Sequence, residues 1–307
     1  MTNSPGSKNS SGMHIPLYTN LTFKPTSNVS IDEEKSEQKK SCSDSKDMIV
    51  SLTEQVDTHR LMYIIEHFEA LKEKLLNPTK VANNKNYATY IYNDMVNLAK
   101  KYNKKNKDVI TFDTKYRYGN GMIDGRLYGS KGMQSCPRRI RHTLCKDLYD
   151  DLDFVNSQPT ILEWYCKKNG IVCDNLSYYV NNREKVLQSL SNFYKCTPSE
   201  AKTMIIALIN NGYQDKNVRH LKWIRALRTE ISNILQKVNA LDPEAYKRAS
   251  FKNPNNKLGS MMSMVMGRYE GTFLKFLQTL VQQDGHIVGV LCLDGLMIER
   301  IQNKRLI

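Results

Sequence analysis

The chain has 307 residues, of which 40% are hydrophobic and 25% charged, as in ordinary globular proteins. Lys and Arg outnumber Asp and Glu by 45 to 31, which gives a formal net charge of +14. This excess favours a polyanionic partner such as nucleic acid, although scattered surface charge would give the same sum. No apolar run approaches the ~20 residues of a membrane span, and no secretory signal opens the chain.

Seven cysteines are spread along the chain without a Cys-x-x-Cys pair. That pattern argues against a disulfide framework or a zinc ribbon and favours reduced thiols. With no signal segment in the sequence, we expect an intracellular protein.

Composition and periodicity divide the chain into three regions. Serine-rich, mixed-charge residues 1–46 are predicted to be a disordered tail. Residues 47–108 are predicted to form an N-terminal helical region, because 61–75 and 88–102 repeat apolar side chains at helical spacing on either side of Asn77-Pro78. Beyond residue 108, short strands and glycines extend to about Phe154, helices run from Pro159 to about Gln282, and a strand pair follows at 287–293 and 296–298. Strands separated by helices in this way predict an α+β fold.

An acidic strand is predicted just after residue 146. Period-2 alternation places Asp151 and Asp153 on one face and Leu148, Leu152 and Phe154 on the other. In the simplest interpretation, Asp153 is only a solvent-exposed polar residue at the edge of a strand.

A second aspartate lies 141 residues further along, where Asp294-Gly295 separates two apolar runs and predicts a two-residue hairpin. Aspartates at strand ends suit Mg²⁺, which takes one or two carboxylates together with substrate phosphate oxygens. Two such ions can support an in-line displacement at phosphorus. The alternative is that Asp294 only makes the turn.

Basic residues precede the acidic strand: Gln134 is followed by Arg138, Arg139 and Arg141, and Arg126 lies upstream in a glycine-rich stretch. Arginine grips phosphate bidentately. These side chains therefore either contact phosphate or balance the nearby carboxylates of Asp147, Asp150 and Asp151.

A helix start is marked by Thr197-Pro198-Ser199-Glu200, which combines a capping box with proline at the first helical position. Lys202, Ile206 and Asn210 share one face of this helix, which Asn211-Gly212 ends. A lysine in the first turn opposes the helix dipole unless an anion compensates it. Lys202 either binds such an anion or extends to solvent.

In this order and spacing, these segments resemble the core of family A DNA polymerases and of phage-type single-subunit RNA polymerases, over roughly residues 124–300. The segment 125–138 is similar to the stretch that contacts the primer–template end. The segments 153–162 and 291–295 resemble the two palm motifs, and 202–212 resembles the fingers helix. The resemblance implies a palm with a small antiparallel sheet and helical fingers at about 170–250, within a unit of residues 109–307.

The resemblance also implies a role for each site residue. Asp153 and Asp294 would hold two Mg²⁺ ions, and Lys202 would hold the triphosphate and take part in catalysis. The nucleotide site would also include Gln158, Asn210, Asn211 and Gly212, and a residue as large as Gln158 favours deoxynucleotides. Primer–template would be bound by Arg126, Gln134, Arg138, Arg139 and Arg141. Arg268 and Glu270, on a Met-rich helix at 259–282, are further candidates that the sequence does not place.

Several positions depart from the family pattern. Pro198 stands where the fingers helix usually carries an arginine, Ile206 replaces an aromatic residue, and Leu293 and Gly295 replace a histidine and an acidic residue. The sequence therefore predicts a template-directed nucleotidyltransferase acting on nucleic acid, DNA more than RNA, and on nucleoside triphosphates. It leaves three alternatives open: a polymerase-like binding protein without chemistry, an RNA polymerase or primase, and a Mg²⁺-dependent nuclease.

Overall fold

Two small antiparallel sheets and a set of helices make up the part of the chain that this computed structural model describes, residues 50–102, 108–119, 124–212 and 221–300. The arrangement is α+β, as the sequence predicts. The tail predicted for residues 1–46 lies outside the described residues.

Each sheet has three strands. The first has the order β1-β2-β3, formed by Val50–Asp57, Val109–Tyr118 and Leu127–Gly129. The second has the order β4-β6-β5, formed by Tyr149–Asp153, Gly295–Glu299 and Val288–Cys292. The acidic strand β4 therefore pairs with the return strand of the late hairpin. This pairing joins two segments that are far apart in the sequence.

The helices fall into groups on either side of β4. Four follow β1: α1 (Thr58–Glu66), α2 (Phe68–Leu75), α3 (Pro78–Asn83) and α4 (Tyr87–Ala99). Helix α5 (Arg138–Cys145) precedes β4. The rest lie between β4 and β5: α6 (Ser157–Lys168), α7 (Asp174–Asn181), α8 (Arg183–Tyr194), α9 (Pro198–Ile209), α10 (Lys222–Leu241), α11 (Pro243–Lys252) and α12 (Lys257–Gln283). No helix in the described ranges is long and apolar enough to cross a bilayer.

Three apolar clusters hold these elements together. Helices α6 to α12 share one core, in which Met261, Met262 and Met266 are buried, so the Met-rich helix packs as adaptable core. The N-terminal helices, α5 and one side of both sheets share a second core. The third cluster lies where the two sheets meet α12.

A buried polar network joins the first sheet to β5. The Tyr116 hydroxyl donates to Glu54 Oε1 at 2.6 Å and accepts from the backbone N–H of Leu291 at 3.1 Å. The Met133 N–H donates to Glu54 Oε2 at 2.6 Å. Burial raises the pKa of Glu54, and its hydrogen bonds oppose that rise. The network fixes the strand that leads into Asp294 against the first sheet.

The region predicted as helical at 47–108 begins with a strand. In β1 the buried positions are Glu54 and Val56. Because one of the inward positions is a carboxylate, the apolar alternation that marks a strand is broken. The strand forms because β2 pairs with it along its whole length.

Two other details of the N-terminal region differ from expectation. The helical pattern at 61–75 is divided at His67, which ends α1 and precedes α2. Asn77-Pro78 starts a helix, because Asn77 Oδ1 accepts from the N–H of Thr79 at 2.9 Å and of Lys80 at 3.3 Å. Proline is compatible with the first turn that Asn77 caps.

The cysteines of the described ranges are all unpaired, as the sequence predicts, and Cys42 lies outside those ranges. Burial raises the pKa of the Cys136 and Cys145 thiols to about 12. Such thiols are protonated at neutral pH and are poor nucleophiles.

Candidate active site

Asp153 and Asp294 meet at one end of the second sheet. Asp153 is the last residue of β4 and pairs in register with Gly295 of β6, the residue that follows Asp294. The backbone N–H of Phe154 donates to the carbonyl of Asp294 at 3.0 Å. The two aspartates are therefore adjacent in backbone position despite their separation along the chain, and the charge of Asp294 acts on Asp153.

The hairpin between β5 and β6 is present, with a different turn from the one expected. Cys292 pairs with Gly295, so Leu293 and Asp294 are the two turn residues and Gly295 is the first residue of β6. A Cβ on Gly295 would collide with Asp153 Oδ1 and the carbonyl of Leu152. Glycine is required here for the close approach of β4, and this approach brings Asp153 beside the turn.

The proximity of carboxylates shows in the electrostatics of Asp153. Partial burial raises its pKa, and the nearby charges of Asp151 and Asp294 raise it further. Arg138 and Arg141 oppose the rise. The ionised form of Asp153 is thus disfavoured by burial and by its acidic neighbours, and a cation bound beside it would offset that penalty.

A cleft of about 390 Å³ opens beside Asp294 and brings together residues from three helices and from the loops next to the strands; Asp153 is not among its lining residues. We call it the carboxylate cleft. Its polar lining includes Arg126, Ser157, Gln158, Lys202, Glu270 and Asp294, and Phe154, Pro159, Ile206 and Leu293 are among its apolar residues. Residues predicted separately from two palm motifs, the fingers helix and the glycine-rich stretch thus face one space.

Lys202 reaches the cleft from the start of the second turn of α9, as the fifth residue of the helix and not in its first turn as the sequence predicts. The predicted capping box is present: Glu200 N–H donates to Thr197 Oγ1 at 3.2 Å, and Thr197 N–H donates to Glu200 Oε2 at 2.7 Å. Lys202 has no ion pair or hydrogen bond among the described residues and is exposed. Its ammonium group is available to an anion.

A side-chain hydrogen bond between Gln158 and Asn210 connects α6 to α9. Asn210 Nδ2 donates to Gln158 Oε1 at 3.4 Å and to the carbonyl of Ile206 at 2.9 Å. Gln158 lines the carboxylate cleft, and Asn210 lies one helical turn beyond Ile206 on the Lys202 face. The shared face predicted for the helix is present.

Asn211 and Gly212 lie at the end of α9 and are not among the residues that line the cleft. Asn211 has a left-handed backbone with φ 52° and donates through Nδ2 to Asn256 Oδ1 at 3.1 Å. Gly212 N–H bonds to the carbonyl of Ala207 at 2.6 Å. Both residues complete a Schellman-type cap.

Arg126 is held at the cleft by Glu270. Its Nε and Nη2 atoms both contact Glu270 Oε2, and the Ser157 hydroxyl donates to the other carboxylate oxygen at 3.3 Å. Burial raises the pKa of Glu270 and Asp294 adds to the rise, while Arg126 and Ser157 lower it. Because Glu270 balances the charge of Arg126, this arginine adds no net charge to the cleft. Its remaining N–H groups can still donate hydrogen bonds there.

The three arginines of α5 diverge. Arg138 and Arg141, three positions apart, share the face near Asp153. Arg139 points away and contacts the carbonyl of Lys74. The acids that this trio could balance have other partners: Asp147 pairs with Arg60, Asp150 pairs with Arg300 Nε at 2.7 Å, and Asp151 lies 3.7 Å from His142 Nε2.

Gln134 cross-links the two sheets. Its Oε1 accepts from Gly129 N–H at 2.8 Å, and its Nε2 donates to the carbonyls of Leu127 and Leu291, each at 3.0 Å. All these partners are backbone groups. We therefore leave Gln134 out of the nucleic-acid contacts proposed below.

Glu270 and Ser157 are cleft residues that the sequence did not assign. Ser157 directly follows the left-handed Asn156 (φ 56°) that turns the chain from β4 into α6, a conformation asparagine tolerates. Arg268, the other unplaced candidate, forms ion pairs with Asp124 through Nε and with Asp242 through Nη1, each at 2.7 Å, and only the pair with Asp242 is a hydrogen bond. The available sequence signal for Glu270 was an acidic residue between Gly267 and Gly271 on a Met-rich helix.

The donors at the sheet end match a hard cation better than a structural transition metal. No group of three or more His, Cys, Asp or Glu side chains within the described ranges forms a metal cage. The pair of carboxylates is instead the partial oxygen set that Mg²⁺ accepts when substrate phosphate and water complete its coordination. The chemistry of Asp153 and Asp294 therefore fits Mg²⁺ held together with a substrate.

Comparison with known proteins gives a partial relationship. No protein-family model matches the chain. A protein of Sputnik virophage named "Putative helicase V13" is 28% identical to it over 216 residues, which cover 66% of this chain. The match spans only 28% of that relative's length. This chain is therefore similar to part of a viral protein.

Proposed function

We propose that the chain is a template-directed nucleotidyltransferase that extends a nucleic-acid strand, DNA in preference to RNA, from nucleoside triphosphates. The observation that carries the proposal is that Asp294 lines a cleft together with Lys202 and that Asp153 ends the strand paired beside Asp294. Carboxylates that suit Mg²⁺ and an unpaired ammonium group are the complementary halves of a triphosphate site. The similarity to a viral protein named as a helicase supports a role in nucleic-acid processing.

Each group would have a separate task in the reaction. The 3′-oxygen of the strand forms a bond to the α-phosphorus, the bond from that phosphorus to pyrophosphate breaks, and the hydroxyl proton passes to solvent. Lys202 would neutralise the triphosphate and its departing charge, and Arg138 and Arg141 would attract the phosphates from the β4 side. Asp153 and Asp294 would hold Mg²⁺, which when bound supplies charge stabilisation at the reacting phosphate.

Gln158 would limit the space beside the sugar of the incoming nucleotide. It lines the cleft between the carboxylate end and α9, with its amide oxygen turned to Asn210. The resemblance of its segment to the first palm motif associates a bulky residue here with deoxynucleotides. Parallel reactions with ribonucleotides and deoxynucleotides test this preference directly.

Mg²⁺-dependent primer extension with DNA and RNA templates tests the proposal. We expect Asp153→Asn and Asp294→Asn each to lower incorporation by about 100-fold or more, since each removes a ligand of the ion. Asp150→Asn is the matched control, because Asp150 lies on the same strand and bonds to Arg300. Incorporation by both variants at the wild-type rate would contradict the metal assignment.

A nucleic-acid-binding protein without chemistry is the second candidate. It is favoured by the neutralisation of Arg126 by Glu270 and by the substitutions at Pro198, Ile206 and Gly295. It predicts salt-sensitive binding with no nucleotide incorporation in the same assay. Incubation of a labelled strand with Mg²⁺ but without nucleotides separates a nuclease from both candidates.

The helicase name of the relative does not by itself carry over to this chain. The sequence contains no Gly-x-x-x-x-Gly-Lys-Ser/Thr phosphate-binding loop. The matched part is also a minor share of that protein. Our proposal therefore rests on the carboxylate cleft.

A further inference from the structure

A second cavity lies beside the carboxylate cleft, and Arg126 lines both. It has a volume of about 300 Å³. Its lining includes Arg126, Tyr128, Lys252, Ser263, Met264 and Gly267, which come from β3 and the residue before it, the C-terminal end of α11 and the N-terminal half of α12. A molecule that extends out of the carboxylate cleft past Arg126 would enter this cavity.

The charges around the second cavity leave one cation uncompensated. Arg126 is paired with Glu270, and Asp124, also in the lining, is paired with Arg268 Nε at 2.7 Å. Lys252 is exposed and has no ion pair or hydrogen bond among the described residues. The cavity is therefore suited to an anionic group placed near Lys252.

The segment Gly125-Arg126, which separates the two cavities, packs closely against α12. The carbonyl of Gly125 rests on Gly271 of α12, where any Cβ would collide with it. At Gly267 a Cβ would lie 3.6 Å from Arg126 Cγ, so the stem of this arginine runs directly over the helix. Small residues thus keep Arg126 flat against α12 and leave room beside it.

An aromatic side chain completes the second cavity. Tyr128 lies on β3, the edge strand of the first sheet, and is 48% exposed. An exposed tyrosine and an unpaired lysine that line the same cavity can bind a base or sugar together with the backbone phosphate of a nucleic acid.

We infer that the second cavity is a subsite for the DNA strand whose reacting end lies in the carboxylate cleft. Lys252 neutralises a backbone phosphate of that strand, and Tyr128 packs against the adjoining nucleotide. Glu270 is a positioning residue that fixes Arg126 as the divider between the reacting end and the rest of the strand. The inference rests on the proposed function, since it assumes that a strand end enters the cleft.

The test measures equilibrium binding of a fluorescent DNA primer–template across a salt series, in EDTA and without nucleotides. We expect Lys252→Ala to reduce the slope of log Kobs against log salt by about 0.9, the contribution of one phosphate contact. Lys247→Ala, an exposed lysine of the same helix outside both cavities, is the matched control and should leave the slope unchanged. Tyr128→Ala should weaken binding by about 5-fold or more with no change in slope.

The binding assay tests the subsite and the extension assay tests the proposed function, so either can be contradicted without the other. If Lys252→Ala and Lys247→Ala change the slope equally and Tyr128→Ala binds as wild type does, the subsite is wrong even when the wild-type protein extends primers. If the wild-type protein does not extend primers but Lys252→Ala alone loses the slope contribution, the proposed function fails and the DNA-binding cavity stands. All three variants are at exposed positions, so circular dichroism is expected to show that they fold.

Discussion

At the scale of single residues, Asp153 has the most consequential surroundings. Its position depends on contact with Gly295, and its charge is opposed by Asp151 and Asp294. A carboxylate placed beside other carboxylates costs stability until a cation neutralises the group. The same contacts that suit Mg²⁺ therefore strain the metal-free protein.

The first prediction concerns the pH dependence of this cost. Because the pKa of Asp153 is raised in the folded state, ionisation destabilises the fold above that pKa, and the penalty fades as the pH falls through it. Asp153→Asn removes the penalty. At neutral pH without divalent ions we expect it to raise the free energy of unfolding by less than about 1 kcal/mol, since solvent screens this exposed group.

Thermal denaturation at neutral and acid pH checks the prediction. The gain of Asp153→Asn should vanish in acid, and added Mg²⁺ should stabilise the wild-type protein more than the variant. Asp150→Asn, which removes the partner of Arg300, should show no such gain. Equal stabilisation of wild type and Asp153→Asn by Mg²⁺ would argue against a metal site at this carboxylate.

At the scale of elements, the β4–β6 pair is what forms the candidate site. Period-2 alternation and the Asp-Gly signal predict the two aspartates at strand ends, but the sequence placed the turn one residue too late. The turn consists of Leu293 and Asp294, because Gly295 is needed inside the strand for contact with Asp153. From the sequence alone, a glycine that is needed for turn geometry cannot be distinguished from a glycine that is needed for close packing.

The second prediction tests that reason. Gly295→Ala should lower the free energy of unfolding by about 1–3 kcal/mol, because the added methyl group collides with Asp153 and the Leu152 carbonyl. Gly267→Ala is the control: its methyl group meets only ordinary contacts, the nearest at 3.6 Å, and alanine gains up to about 1 kcal/mol in helix propensity. Urea denaturation measures both. Equal stabilities of Gly295→Ala and wild type would show that β4 can move away without cost.

At the scale of the whole described fold, two sheets act together to support one site. Glu54, Tyr116 and the Leu291 N–H form a continuous hydrogen-bonded path from the first sheet to β5. Gln134 adds a second bridge between β3 and β5. The region before residue 109, which the sequence separated as helical, thus contributes a strand and a buried carboxylate to the support of the hairpin.

The third prediction follows from this coupling. Tyr116→Phe deletes one hydroxyl and leaves both Glu54 Oε1 and the Leu291 N–H without that partner, so we expect a loss of about 1–3 kcal/mol. Unfolding should remain one cooperative transition with an unchanged m-value, because shared apolar clusters still join the sheets. Tyr90→Phe, at a position 59% exposed, is the control with no expected change. Two separate transitions would show that the sheets fold independently.

The sequence alone determined the local features whose causes are local. The capping box at Thr197, the shared face of Lys202, Ile206 and Asn210, the late hairpin and the buried Met-rich helix follow from spacing and side-chain chemistry within a few residues. The order of these segments also indicated that Asp153 and Asp294 belong together.

Only the tertiary structure decided which charges are already used. Arg126 is balanced by Glu270, Gln134 is taken up by backbone groups, Arg139 faces away from the carboxylates, and Lys202 and Lys252 have no partner among the described residues. The reason is physical: a side chain's type sets what it can bind, but its partners come from segments brought alongside by folding. Burial and pairing then determine whether its charge remains available to a ligand.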